Sequence, residues 1–254
     1  MPAKSPDDGA AALPPAVTGG HLLGGRVRYL QPAEGFRSGI EPVLLAAAVP
    51  ARPGERILEG GSGAGAALLC LAARVAGVIG TGVERDPALA ELAAANAAAN
   101  GLPLQFIAAE LETAALQGPF DHAMANPPYH AAGGPASPDA ARETAKRGAP
   151  GLLTAWAERL GGSLRRHGSL TLILPAWRVA ECLLAMQAAQ CPPAAIQPLW
   201  PKAGREAKLV LVQGRRFGRA PLRLLPGLAL HEADGSFTPR AEAVLRGGGK
   251  LDWG

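Results

Sequence analysis

Apolar residues along this chain come in short runs, set apart by glycine, proline and charged positions. Leu22 to Leu30 alternates through Arg26, Val27, Arg28 and Tyr29, which predicts a strand or hairpin arm. Residues 34–41 read as a loop, and Pro42 opens a short apolar helix to about Val49. From Arg56 the pattern turns into strands alternating with helices. Strands are predicted over 56–59, 78–84, 104–108 and 120–125, and helices over 66–75 and 87–100. A helix over 150–166, a strand over 169–174 stopped by Pro175, and a helix over 176–190 follow. The last two strands, 196–200 and 207–213, are joined by a connection short enough for a hairpin. The expected fold class is α/β: a doubly wound, mostly parallel, seven-stranded Rossmann-like sheet with one antiparallel strand.

Composition narrows this only modestly. The 254 residues are 48% hydrophobic and 18% charged, which suits one well-buried domain. That domain is expected over 20–245, with an N-terminal extension (20–50), a core (55–213) and a C-terminal addition (214–245). Residues 1–19, rich in Pro, Ala, Gly and Asp, and residues 246–254 read as flexible tails. The N-terminus shows no apolar signal segment. The apolar stretch from Ala66 to Val83 carries Arg74 and several glycines, so it reads as helix then strand rather than a membrane span. A cytoplasmic protein with no membrane partner is expected. Cys70, Cys182 and Cys191 stand far apart, and no histidine has ligand spacing with Cys or Asp, so no metal is predicted. A net charge of +4 permits a nucleic-acid partner without demanding one.

Four features carry chemistry. The run Glu59-Gly60-Gly61-Ser62-Gly63-Ala64-Gly65 follows a strand and opens a helix, so Gly61, Gly63 and Gly65 let backbone amides approach a ligand. Its G-x-G-x-G spacing is neither the dinucleotide fingerprint nor a P-loop. Taken alone it also fits a tight strand–helix turn. Glu84 closes the next strand, where an acid can bind both hydroxyls of a ribose; the plainer reading is a surface acid beside Arg85 and Asp86. Glu110, just past the third strand, could accept from an adenine amino group, or be a solvated loop acid. Together these describe a site for S-adenosylmethionine, with Glu59 or the loop amides at its amino-acid end. The fourth strand then delivers Asn126-Pro127-Pro128-Tyr129. Asn126 and the Pro127 carbonyl offer two acceptors for a planar amino group, and Tyr129 offers a face for stacking. Two acceptors around such a nitrogen expose its lone pair for methylation.

With these residues the chain resembles class I methyltransferases acting on amino nitrogens. Segments 36–45 (FRSGIEPVLL), 142–145 (RETA) and 204–208 (GREAK) are similar to the bacterial valine-tRNA adenine-N6 methyltransferase family. The resemblance implies a methyltransferase sheet, S-adenosylmethionine as cofactor, and an adenine beside the anticodon of a tRNA as acceptor. It places Asn126 both at the cofactor and in catalysis. The family usually has Asp-Leu-Gly-Cys where this chain has Glu59-Gly60-Gly61-Ser62, and Gly60 in place of an apolar residue is expected to loosen the turn. Arg142, Arg205 and Lys208, with Arg215, Arg216, Arg219 and Phe217, are candidates for holding RNA while an adenine is flipped onto Tyr129; solvated surface charge is the alternative. Two rivals stand: methylation of a protein glutamine amide, as in release-factor methyltransferases sharing Asn-Pro-Pro-Tyr, and a cofactor- or RNA-binding module without turnover. The oligomeric state is not legible.

Overall fold

The computed structural model of the chain describes residues 16–34, 38–128 and 151–253. Strands β1 (Val17–Leu22) and β2 (Val27–Pro32) form an antiparallel hairpin, and α1 (Glu41–Ala48) follows. The core then runs β3 (Arg56–Gly60), α2 (Ala66–Arg74), β4 (Ile79–Glu84), α3 (Pro87–Ala99), β5 (Gln105–Ala108) and β6 (Phe120–Ala125). After it come α4 (Leu152–Gly162), β7 (Leu164–Pro175), α5 (Val179–Ala188), β8 (Pro193–Lys202) and β9 (Leu209–Arg215). The chain ends with β10 (Arg223–Leu224), β11 (Leu228–His231) and α6 (Pro239–Leu245).

The main sheet has the order β10-β8-β9-β7-β6-β3-β4-β5, with β11 also on β8. Strands β3 to β7 run parallel, and β9 is antiparallel to both β7 and β8. The seven expected strands are all present. Two further short strands, β10 and β11, extend the β8 edge from within the C-terminal addition. Apolar layers cover both faces: α1, α2, α6 and the hairpin on one, α4 and α5 on the other.

Three expectations are corrected. The helix expected over 150–166 ends at Gly162, and β7 already begins at Leu164. Gly161 packs so closely that a Cβ would lie 2.8 Å from the Ala189 carbonyl oxygen. Residues 17–19 of the expected N-terminal tail lie in β1. Residues 246–253 are tied down rather than free: Leu251 is buried and its N–H donates to the Ala47 carbonyl (2.8 Å), while Trp253 Nε1 donates to the Ala48 carbonyl (2.7 Å). These contacts answer a need of α1. It is buried from Pro42 to Ala48, and the last carbonyls of a helix have no partners of their own. Arg74 Nη2 completes the set, donating to Ala46 O (2.7 Å) and Val49 O (2.9 Å).

The hairpin is attached by two asparagines, Asn96 of α3 and Asn100 at its C-cap. Asn96 accepts from the Leu30 N–H (2.9 Å) and donates to the Leu30 carbonyl (2.8 Å) and the Ala64 carbonyl (3.0 Å). Asn100 repeats this on Arg28, accepting from its N–H (2.8 Å) and donating to its carbonyl (2.7 Å). Four residues of helix rise about 6 Å, and two residues of strand about 6.6 Å, so the amides match alternate residues of β2 like a neighbouring strand. Asn96 is 1% exposed, so truncation strands the buried Ala64 carbonyl and leaves the part-buried Leu30 N–H and carbonyl without their partner. Asn96→Ala is expected to cost about 2–3 kcal/mol and Asn100→Ala about 1 kcal/mol in urea unfolding, since only the first leaves a fully buried vacancy. Equal effects would show that the ladder does not depend on burial.

Candidate functional site

Gly60 of β3 lies opposite Ala125 of β6 in the parallel register. The glycine loop (61–65) and the loop opening at Asn126 therefore leave the sheet side by side. The glycine loop is braced by the Ser62 N–H on the Val83 carbonyl (3.0 Å) and the Gly65 N–H on the Ser62 carbonyl (2.8 Å). Gly61, with φ 66°, requires glycine twice over, because a Cβ there would sit 2.6 Å from the Trp156 ring. Gly65 closes the loop at the start of α2, against Phe106 and Ala93. Gly60 does not loosen the turn as expected. Leu111 and Leu160 fill the space of its missing side chain, 2.8 Å and 3.4 Å from an ideal Cβ.

A cleft of about 530 Å³ opens here, lined by Glu59, Gly61, Ser62, Gly63, Asp86, Leu89 and Asn126, with Tyr29 and Ser38 from the N-terminal segment. Glu59 is 4% exposed, and one carboxylate oxygen accepts the Leu68 N–H at 3.0 Å. Burial pushes its pKa up to about 8, against the pull of that bond and with help from the negative Glu84. Two oxygens at the cleft, Ser62 Oγ and Asn126 Oδ1, are buried without a partner. Such groups are costly unless something supplies a hydrogen bond. Beyond Asn126, Pro127 is buried, and the Pro128 carbonyl accepts from Arg178 Nη1 (3.4 Å). Arg178 is itself clamped by both Glu181 oxygens at 2.9 and 2.7 Å.

Of the residues singled out by sequence, Glu59, Gly61, Gly63 and Asn126 meet at the cleft, and Gly65 lies just behind. Glu84 stands beside it, accepting from the Gly63 N–H (2.9 Å) and the Asp86 N–H (3.0 Å). Glu110 is exposed and does not line the cleft. Tyr129 and Arg142 lie outside the described residues. Arg205 and Lys208 are exposed on the β8–β9 turn. That turn is at the Asn126 end of the sheet, because Leu209 pairs with Pro175 and the Ala176 N–H donates to the Lys208 carbonyl (2.9 Å). Arg215 pairs with Ser169 at the opposite end, so the basic residues of the C-terminal third do not form one cluster. Sequence reading missed Tyr29, whose buried hydroxyl meets Ser38 Oγ at 2.8 Å, and the Asn96 brace on the Ala64 carbonyl. Burial raises the Tyr29 pKa. The available signal was two asparagines four apart within an alanine-rich helix. Among the described residues no His/Cys/Asp/Glu group is placed to hold a metal, and no helix is long and apolar enough to cross a membrane.

Comparison with known proteins agrees with this geometry. The methyltransferase small domain family matches residues 41–154. The tRNA1(Val) (adenine(37)-N6)-methyltransferase of Aeromonas hydrophila is 33% identical over 216 residues, covering 81% of this chain and 86% of that protein. A release factor glutamine methyltransferase of Rhodospirillum rubrum is 43% identical, but over only 77 residues, 30% of this chain and 24% of that protein. The solved structure of a predicted O-methyltransferase from Agrobacterium tumefaciens superposes with a TM-score of 0.68 at 26% identity, covering 83% of this chain and 98% of the other. The strand order, the cleft at the strand ends and these relatives define a class I methyltransferase that uses S-adenosylmethionine. Within that class, the chain belongs to the family of the tRNA1(Val) (adenine(37)-N6)-methyltransferases.

The cleft suits that cofactor. It offers a buried carboxylate with no cationic partner among the described residues, and two unpartnered oxygens. Glu59 could hold the cationic amino-acid end, and the lone pairs left on Glu84 could meet ribose hydroxyls. The folded chain keeps the Glu59 proton to about pH 8, whereas the unfolded chain releases it near 4.5. The stability contributed by the protonated form is thus full below 4.5 and is lost as pH rises to 8. A bound cation favours the ionised form and expels the proton. Calorimetric titration with S-adenosylmethionine should show affinity rising with pH by up to about tenfold per unit between roughly pH 6 and 8, with proton release. Glu59→Gln should abolish the slope, and a flat wild-type profile would exclude this role.

Proposed function

We propose that this enzyme transfers a methyl group to the exocyclic N6 amino group of an adenine in RNA, and that the RNA is a tRNA modified beside its anticodon. The observation that carries the reading is Asn126 Oδ1: a buried acceptor without a partner, belonging to a residue that lines the cleft next to the glycine loop. An amino group conjugated to a purine ring is a poor nucleophile. Asn126 Oδ1 and the Pro127 carbonyl accept its two N–H groups and turn its lone pair toward the glycine loop. S-adenosylmethionine, when bound, supplies a methyl group activated on a sulfonium. The acceleration then comes mainly from alignment, which the chain achieves by stiffness. Pro127 and Pro128 restrict the loop, and Arg178, locked by Glu181, grips its far side. No strong base is needed, because a methylated purine amino group readily loses its proton to water.

Support for adenine in tRNA comes from the near full-length relative of that named activity. The glutamine methyltransferase relative matches a much shorter stretch. Exposed Arg205 and Lys208, at the same sheet end as Asn126, suit phosphates around the acceptor base.

The test is transfer of labelled methyl from S-adenosylmethionine into total RNA and total protein from cells lacking the gene, followed by nucleoside mass spectrometry. Label is expected in tRNA as N6-methyladenosine. Label in protein glutamine instead would select the rival acceptor. Asn126→Ala should lower kcat about 100-fold or more while cofactor affinity changes little. Equal background from both proteins would make the chain a binding module.

A further inference from the structure

At the end of the sheet opposite the cleft, three non-glycine residues in the left-handed backbone region come together: His167 (φ 63°), Gln190 (φ 57°) and Phe217 (φ 56°). The Phe217 N–H donates to the Gln190 carbonyl (2.7 Å), the His167 N–H to the Arg216 carbonyl (3.0 Å), and the Arg216 N–H to the Gly168 carbonyl (2.9 Å). Bulky residues held in this region are strained, and such strain gathers where a surface has work to do beyond folding. Here it presents a part-exposed aromatic ring beside two guanidinium groups. Phe217 is 38% exposed, with the Arg216 guanidinium 4.9 Å and the Arg166 guanidinium 5.8 Å from its ring centre.

The nearby carboxylates are already engaged. Glu55 meets His122 (2.9 Å) and Arg165 (3.6 Å), and Asp121 meets Arg165. Among the described residues Arg166 and Arg219 have no carboxylate partner, and Arg215 donates to the His167 carbonyl (3.2 Å). Arg216 also donates to the Gly161 carbonyl near the end of α4, an ordinary use of arginine at a helix C-terminus. That use accounts neither for Arg166 nor for a half-open phenylalanine in a conformation suited to glycine.

We propose that this patch is a second RNA-binding surface, separate from the methylation cleft, with the arginines on phosphates and Phe217 stacking on an unpaired base. From Gly168 to Pro175 along β7 is about 23 Å at roughly 3.3 Å per residue. Only an extended, folded RNA reaches both ends, so the patch selects for length and shape while the cleft selects the base. This deepens the reading of RNA as the methyl acceptor and rests on it.

The test compares bulk tRNA from cells lacking the gene with a short adenine-containing oligonucleotide, using Arg166→Ser and Phe217→Gly. Each variant is expected to raise KM and Kd for tRNA about fivefold. Arg166→Ser should also lower the slope of log Kd against log salt by about 0.7–0.9, one phosphate contact. kcat, cofactor affinity and methylation of the oligonucleotide should stay unchanged. Phe217→Gly should hold or raise Tm, because glycine relaxes the turn, whereas a purely structural role predicts a lower Tm. Unchanged tRNA affinity in both variants, or equal loss on tRNA and oligonucleotide, would overturn the proposal. Methylation of RNA with unaltered patch variants would remove this surface and leave the functional reading. Weakened tRNA binding by the variants, with no methylation of RNA by the wild type, would do the reverse.

Discussion

The site depends on one register. Gly60 and Ala125 finish adjacent parallel strands at the same level, with β4 on one side of β3 and β6 on the other. The glycine loop after β3 and the segment opening at Asn126 after β6 leave the sheet side by side there, and the cleft lies beyond these carboxyl ends. Strand side chains alternate between faces, so a slip of one residue would turn Glu59 and Asn126 to the wrong sides. Packing guards against the slip. β3 is apolar and buried from Ile57 to Leu58, and β6 from Ala123 to Ala125.

The cleft is held in a state that favours a cation. Glu59 has been drawn out of water with one backbone hydrogen bond and no cation among the described residues to offset its charge. Its high pKa follows from desolvation. The N-terminal hairpin contributes Tyr29 to the lining of the cleft, and Asn96 binds hairpin and glycine loop in one step through Leu30 and Ala64. A single buried amide thus couples the part of the chain before the core to the turn that meets the cofactor.

The departure from the family pattern at Gly60 and the spread of basic residues show how far neighbours decide meaning. Gly60 is compensated by Leu111, from the loop after β5, and Leu160, from α4. The arginines of the C-terminal third are close in sequence, yet β9 carries them from one end of the sheet to the other. Lys208 ends up near the Asn126 side and Arg215 at the far edge.

Much was legible in the chain itself. Local periodicity and punctuation set the alternation of strands and helices, the glycine loop and the Asn-Pro-Pro turn, because these depend on neighbours a few residues apart. The boundary at Gly162, the docked residues 246–253 and the two added edge strands were not legible, since each rests on contacts between distant segments. Sequence alone determined which groups are available: an acid near the end of β3, an amide after β6, asparagines four apart at the end of α3. Only the tertiary structure decided that Glu59 is desolvated, that Asn126 Oδ1 is buried without a partner in a residue lining the cleft, and that the basic residues divide between two ends, because burial and register are properties of the assembled sheet rather than of any stretch of it.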